Sequence, residues 1–175
     1  MAIYYGNRFK NVITAGAGDD TIFARAGHDT VYGGDGHDVI VGNRGDDLLY
    51  GEAGNDTLVG GRGNDTLDGG DSDDLLDGGD GADVMEGGDG HDVMKGGDGA
   101  DTMSGSGGND TMSGGAGADT MDGGDADDII AGDAGADVLN GGDGHDTITG
   151  GRGNDVMEGD GGADSLYGGA GDDVL

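Results

Sequence analysis

The chain of 175 residues contains no cysteine, no proline and no tryptophan. Without cysteine it forms neither disulfides nor thiolate metal sites, so oxygen atoms are its abundant potential metal ligands. Only seven Lys and Arg stand against 38 Asp and Glu, a formal net charge of −31. This balance excludes nucleic acid as a partner, because basic side chains bind its phosphates. No apolar run is long enough to span a membrane, and the first residues do not resemble a cleavable signal peptide.

Hydrophobic residues are also scarce, at 32%, and aromatic residues make up 4%, whereas glycine accounts for 47 positions. Such a composition is typical of a disordered, self-repelling chain. A strict nine-residue periodicity contradicts that interpretation, since a disordered tract has no need to keep phase. Two residues after each periodic Asp comes Ile, Val, Leu or Met. The periodic residues are Asp20, Asp29, Asp38, Asp47, Asp56, Asp65, Asp74, Asp83, Asp92, Asp101, Asp110, Asp119, Asp128, Asp137, Asp146, Asp155, Asp164 and Asp173.

The repeat reads Gly-Gly-x-Gly-x-Asp-x-apolar-x, numbered here one to nine, and residues 78–86, 87–95 and 96–104 follow it closely. Position seven is largely β-branched and position eight is always apolar, which predicts a short strand over positions seven to nine. Because a strand alternates its faces, only position eight can belong to a core. The six residues between successive strands are rich in glycine and are predicted to form a turn.

One apolar side chain per nine residues is buried only if a second layer faces it. The simplest solution is a flattened coil of 18 residues, with odd repeats in one parallel sheet and even repeats in the other. The sequence therefore predicts an all-β fold, a right-handed parallel β-roll of about nine coils over residues 15–175. Residues 1–14 keep the phase but carry Asn11 in place of the Asp, and we interpret them as a degenerate N-terminal capping repeat. A collagen helix is excluded, because position seven is never glycine.

Stacking such coils places Asp83 over Asp101 and Asp101 over Asp119, so like charges repel along each edge. So sparse a core cannot offset both this repulsion and the entropy of ordering the chain. Cations between the coils would remove the difficulty. Each gap is lined by two carboxylates and several glycine carbonyls, hard donors that favour Ca²⁺ over Mg²⁺. Eight gaps on each of two edges would hold up to about 16 Ca²⁺ ions, whose charge nearly cancels the net charge of −31.

The nonapeptide over residues 15–175 resembles the repeats-in-toxin (RTX) family, whose members form calcium-binding β-rolls in bacterial secreted proteins. The resemblance implies that one site uses the carbonyls of Gly79 and Gly81 with Asp83. The turn 18 residues later would add the carbonyls of Gly96 and Asp98 with Asp101. It also implies export by a type I secretion route and calcium-dependent folding outside the cell. The positions that depart from the pattern are Asn11, Arg25, Glu52, Ser72 and Ala126.

Nothing in the sequence indicates an enzyme, because each carboxylate has a repeat-wide role and no nucleophile is set apart with a His and an acid. The four histidines share position five, a solvent-exposed turn position: His28, His37, His91 and His145. Two alternatives to a structural calcium module remain. One is a surface that binds polysaccharide or ice, and the other is an accessory module of a secreted enzyme whose catalytic domain lies outside this chain.

Two features predict self-association. The odd-repeat face carries a patch of Val39, Val41, Thr57 and Val59, which suits contact through the sheet face. The chain ends inside a strand at Leu175, which favours end-to-end pairing and suggests a fragment or an engineered repeat.

Overall fold

Two parallel ten-stranded sheets make up the computed structural model, which describes residues 1–175 without a gap. One sheet, called here the odd sheet, contains β1 (Ile3–Tyr5), β3 (Thr21–Ala26), β5 (Val39–Arg44), β7 (Thr57–Arg62), β9 (Leu75–Asp80), β11 (Val93–Asp98), β13 (Thr111–Ala116), β15 (Ile129–Ala134), β17 (Thr147–Arg152) and β20 (Ser165–Ala170). The even sheet contains β2 (Val12–Thr14), β4 (Thr30–Asp35), β6 (Leu48–Ala53), β8 (Thr66–Asp71), β10 (Val84–Asp89), β12 (Thr102–Gly107), β14 (Thr120–Asp125), β16 (Val138–Gly144), β18 (Val156–Glu158) and β19 (Gly161–Gly162). No helix in the structure has the length and apolarity needed to cross a bilayer.

Each strand pairs in parallel with the strand one full coil later. Val84 aligns with Thr102, and Thr102 aligns with Thr120, a constant step of 18 residues. Odd and even repeats thus stack in separate sheets, and about nine coils follow one another along the rod. The predicted all-β parallel roll with two repeats per coil is confirmed, while its right-handed sense stays a prediction.

The core is a single file of position-eight side chains between the two sheets. All of them are buried from Ile22 to Met157, and Ala24 is the one core residue from another position. In the last coil, Leu166 is only partly buried and Leu175 is 65% exposed.

The strands are longer than the sequence predicted. Most comprise six residues, from position seven to position three of the next repeat, so the turn is only positions four to six. The predicted three-residue strand with a six-residue turn was therefore wrong. Glycine usually marks a turn, but here Gly79 lies inside β9 and pairs with Gly97 of the next coil. Its φ of 108° bends the strand without interrupting the pairing.

Residues 1–14 form a coil of their own at the start of the roll. β1 pairs with β3 and β2 pairs with β4, and Tyr4 and Ile13 pack against the core from these strands. Asn11 occupies the place of the periodic Asp. Its side-chain Oδ1 accepts a hydrogen bond from the backbone N–H of Asn7 at 2.8 Å, so this neutral group is satisfied within its own coil.

Candidate metal centre

The position-six aspartates form two columns at the edges of the roll, where the short turns point them inward. The sixteen from Asp20 to Asp155 are at most 5% exposed, and Asp164 and Asp173 in the last coil are half-buried. The structure therefore places all 18 predicted aspartates in equivalent positions. Carboxylates are almost never buried to this degree without a partner.

One oxygen of each carboxylate binds the backbone of the preceding coil. The Asp65 N–H donates to Asp83 Oδ1 at 2.7 Å, and the Asp83 N–H donates to Asp101 Oδ1 at 2.8 Å. The same bond recurs along both columns up to Asp164 and Asp173. These bonds orient every carboxylate along the stack, and from Asp38 onwards the other oxygen lies beside the position-one glycine of the same repeat.

The second oxygen has no hydrogen-bond partner. Oδ2 is buried and unpartnered in every periodic aspartate from Asp29 to Asp155. An ionised oxygen removed from water without a partner costs several kcal/mol or neutralises by taking up a proton. Each of these oxygens therefore requires either a cation or a proton.

The pKa values of the periodic aspartates also indicate that each buried carboxylate needs a cation or a proton. Burial raises the pKa of Asp65, Asp74 and Asp128 to about 7; neighbouring carboxylates raise it further, whereas the backbone N–H bond opposes the shift. The same causes raise the pKa to about 6 in Asp47, Asp56, Asp110 and Asp137. Without a cation, the columns therefore hold protons at a pH where a free Asp is ionised.

Glycine at position one leaves room beside the unpartnered oxygen. A Cβ added to Gly33 would lie 2.6 Å from Asp38 Oδ2 and 2.7 Å from the carbonyl oxygen of Gly51 in the next coil. At Gly78 the same added atom would meet Asp83 Oδ2 and the Gly96 carbonyl. Carboxylate and carbonyl oxygens thus converge on the space that glycine leaves open at position one.

The predicted ligands around Asp83 and Asp101 lie between the same two coils. The Gly79 and Gly81 carbonyls face the α-carbons of the glycines 18 residues later. The Asp98 carbonyl accepts the Gly81 N–H at 2.8 Å, which occupies one of its two lone pairs. Nowhere do three His, Cys, Asp or Glu side chains gather into a metal-binding cluster. A cation bound here must therefore combine carboxylates with backbone carbonyls, a donor set typical of Ca²⁺.

The residues that depart from the repeat keep its backbone geometry. Arg25 and Glu52 at position two have φ angles of 86° and 77°, and Ser72 and Ala126 at position four have 84° and 81°. The Glu52 and Ser72 carbonyls still face the next coil, as the glycine carbonyls do. These substitutions strain the backbone but leave the carbonyl donors in place.

A second ladder, outside the carboxylate columns, was missed by the sequence interpretation. Side chains at position five accept the backbone N–H of position five in the next coil. The His37 N–H donates to Asp19 Oδ1 at 3.1 Å, and the Asn55 N–H donates to His37 Nδ1 at 2.8 Å. The same role falls to the Nδ1 atoms of His28, His91 and His145. The sequence signal was the recurrence of Asp, Asn and His in steps of 18, which a nine-residue alignment hides.

Comparison with known protein families gives a match over nearly the whole chain. The family described as RTX calcium-binding nonapeptide repeat (4 copies) matches residues 5–40, 32–67, 60–94, 68–103, 86–121, 95–130, 104–139, 122–157 and 140–175. No curated protein matches the chain. The periodic aspartates, the parallel roll and this match agree, and the chain belongs to the family of RTX calcium-binding nonapeptide repeats, as a calcium-binding β-roll module.

Proposed function

We propose that this module folds when it binds calcium outside the cell and thereby stabilises an extracellular bacterial protein and aids its secretion. The observation that carries the proposal is the file of buried, unpartnered Oδ2 atoms from Asp29 to Asp155. Ca²⁺ at these positions would supply the positive charge that the carboxylates lack. The protein residues supply an ordered set of oxygens: position six orients its carboxylate, and positions one to four present carbonyls.

Binding and folding are coupled because neither coil carries a complete site. Asp83 and Asp101 are 18 residues apart and meet only when their strands pair. In the unfolded chain, the cation would find scattered carboxylates and no carbonyl cradle. The free energy of calcium binding therefore contributes directly to folding. With eight gaps on each edge, we expect up to about 16 ions.

Two further parts of this proposal concern the role of the first coil and the lack of catalytic activity in the module. Residues 1–14 act as the N-terminal cap, because Tyr4 and Ile13 cover the core while Asn11 replaces a charge with an internally bonded amide. The module itself is not a catalyst, since its buried carboxylates are equivalent members of a ladder. Any reaction of the parent protein takes place outside this chain.

A calcium titration followed by circular dichroism tests the proposal. We expect a disordered spectrum in EGTA and a cooperative gain of strand signal with a midpoint at about 10⁻⁴–10⁻³ M Ca²⁺, the range of extracellular modules. Mg²⁺ at equal concentration is the matched control and should produce little strand signal. Strand signal that persists in excess EGTA at neutral pH, or a midpoint at cytosolic calcium levels, would contradict the proposal.

A further inference from the structure

Basic residues are concentrated at one end of this acidic chain. Five of its seven Lys and Arg lie within the first 62 residues. Three of them, Arg25, Arg44 and Arg62, line a groove of about 640 Å³ on the outer face of the odd sheet. This groove, called here the arginine groove, is lined by side chains on the outer surface, whereas the periodic aspartates are buried.

Register and small residues create the arginine groove. Ala26, Arg44 and Arg62 align on adjacent strands, and Asn43 aligns with Gly61. Val41 and Val59 form an apolar floor, and the space above it stays open because Ala26 carries only a methyl group and Gly61 has no side chain. Two of the four residues of the predicted apolar patch, Val41 and Val59, therefore form the floor of a groove whose walls carry positive charge.

The positive charge is only partly neutralised. Arg62 Nε lies 3.3 Å from Asp80 Oδ2, an exposed ion pair at the end of the groove. Arg25 lies over the ring of Tyr5 at 5.2 Å from its centroid, and neither it nor Arg44 has a carboxylate within 4.0 Å. Three guanidinium groups against one carboxylate leave a local excess of about two positive charges within a chain of net charge −31.

Arg25 occupies a strained backbone position. Its φ of 86° lies in the left-handed region, where most repeats have glycine and where an L-residue is strained. Strained residues of this kind concentrate at binding sites, where the side chain compensates for its backbone. Here the strain places a guanidinium beside the aromatic pair of Tyr5 and Phe23, whose rings stack at 5.6 Å.

We propose that the arginine groove binds an acidic oligosaccharide, a chain of sugar rings that bear carboxylate groups. Guanidinium groups match planar carboxylates through paired N–H···O bonds. The apolar floor of Val41 and Val59 suits the C–H face of a sugar ring. The groove is shallow and open, which fits a segment of a chain whose hydroxyl groups stay hydrated.

The hydrogen-bond donors that line the groove favour this ligand over other anions. Arg25, Arg44 and Asn43 offer many N–H donors, whereas the acceptors are few, so the groove suits a ligand rich in acceptor oxygens better than an acidic peptide, whose backbone N–H groups find few acceptors there. The underlying strands use their backbone groups within the sheet and cannot supply them. Nucleic acid is disfavoured because its charge density meets the strongly acidic remainder of the protein.

Isothermal titration calorimetry with a short linear oligogalacturonate tests the proposal on the full chain in Ca²⁺. The Arg44→Gln and Arg25→Gln variants should each weaken binding about tenfold or more, because each removes a charged hydrogen-bond donor. Arg152→Gln is the matched control. Arg152 occupies the same strand position as Arg44 but lies between Ala134 and Ala170, outside the groove, so this substitution should change affinity by less than about twofold.

The ligand has matched controls as well. The same oligosaccharide with its carboxyl groups reduced to alcohols should not bind, because the guanidinium groups then lose their acceptors. Equal binding of the reduced sugar, equal binding of an oligoglutamate of the same charge, or an equal effect of Arg152→Gln would each overturn the proposal. Circular dichroism of the same samples reports folding separately, so a chain that folds without calcium still tests the groove.

Discussion

At the residue scale, the two carboxylate oxygens of each periodic aspartate have different surroundings. Asp92 Oδ1 accepts the N–H of Asp74 at 2.8 Å, and Oδ2 has no partner beside Gly87. The hydrogen bond of the first oxygen fixes the orientation of the side chain, and the second oxygen is the proposed calcium ligand. A single side chain therefore serves both pairing of coils and the proposed site, which explains why the residue type is the same in all 18 repeats.

Replacing Asp92 with Asn should separate these two functions. The amide oxygen can still accept the Asp74 N–H, but an NH₂ group now occupies the place of Oδ2. We expect calcium affinity at the adjoining sites to fall at least about tenfold, since even outer partners of metal ligands cost that much. Calcium calorimetry measures the change. Asp89→Asn removes an equal charge from an exposed side chain three residues earlier, and it should leave the titration unchanged.

Gly87→Ala should damage the site without changing the backbone conformation. The new Cβ would collide with the Asp92 carboxylate and lie 2.9 Å from the Gly105 carbonyl. The fold accepts a methyl group at this position, because Ala24 is fully buried at the equivalent place. We therefore expect a folded protein in saturating calcium with a titration midpoint raised about tenfold or more.

Gly107→Ala is the matched control for that substitution. An added Cβ at Gly107 meets nothing closer than 3.8 Å, from Asp89 Oδ1. Its calcium titration should match that of the unmodified chain. Equal midpoints for the two variants would show that the space beside position one is not a ligand cradle.

At the element scale, each six-residue strand combines regular pairing with one residue at positive φ. Position two lies within the six-residue strand and position four opens the turn. Glycine is common at both positions because it adopts this region without a steric cost. Where other residues occur, as at Asn43, Ser106 and Asp133, the strand keeps its bend and its register.

Ala126→Gly should stabilise the calcium-loaded roll. Ala126 is exposed and has a φ of 81°, so glycine relieves about 1–2 kcal/mol of strain and loses about 0.5–1 kcal/mol to entropy. We expect a net gain of about 0.5–1 kcal/mol, measured by denaturant unfolding in saturating calcium. Ala116→Gly makes the same change at an exposed residue without a positive φ, and it should destabilise by about 0.5–1 kcal/mol.

At the scale of the whole molecule, charge decides whether the roll forms. The core is one side chain wide, and 15 unpartnered carboxylate oxygens flank it. Self-association through a sheet face or between ends stays a prediction, which light scattering in calcium can test. The arginine groove interrupts the acidic surface near the start of the odd sheet and ends where Asp80 begins an acidic stretch.

Acid should partly replace calcium in the metal-free chain. The pKa of Asp65 and Asp74 rises from an ordinary 3.8 to about 7 on folding. Between these values the folded state binds more protons than the unfolded state, so its stability falls as the pH rises from about 4 to 7. Circular dichroism in metal-free buffer should therefore show more strand signal at pH 4 than at pH 7.5.

Calcium should reverse that dependence, because protons and cations compete for the same oxygens. In calcium at a concentration near the midpoint, lowering the pH below about 6 should weaken ion binding, which calorimetry records as a lower affinity. A metal-free spectrum that is equally disordered at both pH values would show that desolvation of the carboxylates is not what prevents folding.

The sequence by itself determined the coil, the core and the candidate ligands. An Asp at every ninth residue and an apolar residue two places later permit one face per strand, and a second layer is the only way to bury it. The coil and the core can be predicted from the sequence because they depend only on which residue types recur and at what spacing. Stacked like charges predict cations between the coils, and the hard oxygen donors around them predict that these cations are Ca²⁺.

Only the tertiary structure decided how the glycines, the histidines and the arginines are used. Glycine at position two reads as a turn residue, but coil-to-coil pairing draws it into a strand. His37 and Asp19 are 18 residues apart and become partners only when their coils align. Arg25 occupies position two and Arg44 and Arg62 occupy position three of separate repeats, and the parallel register brings them to one groove.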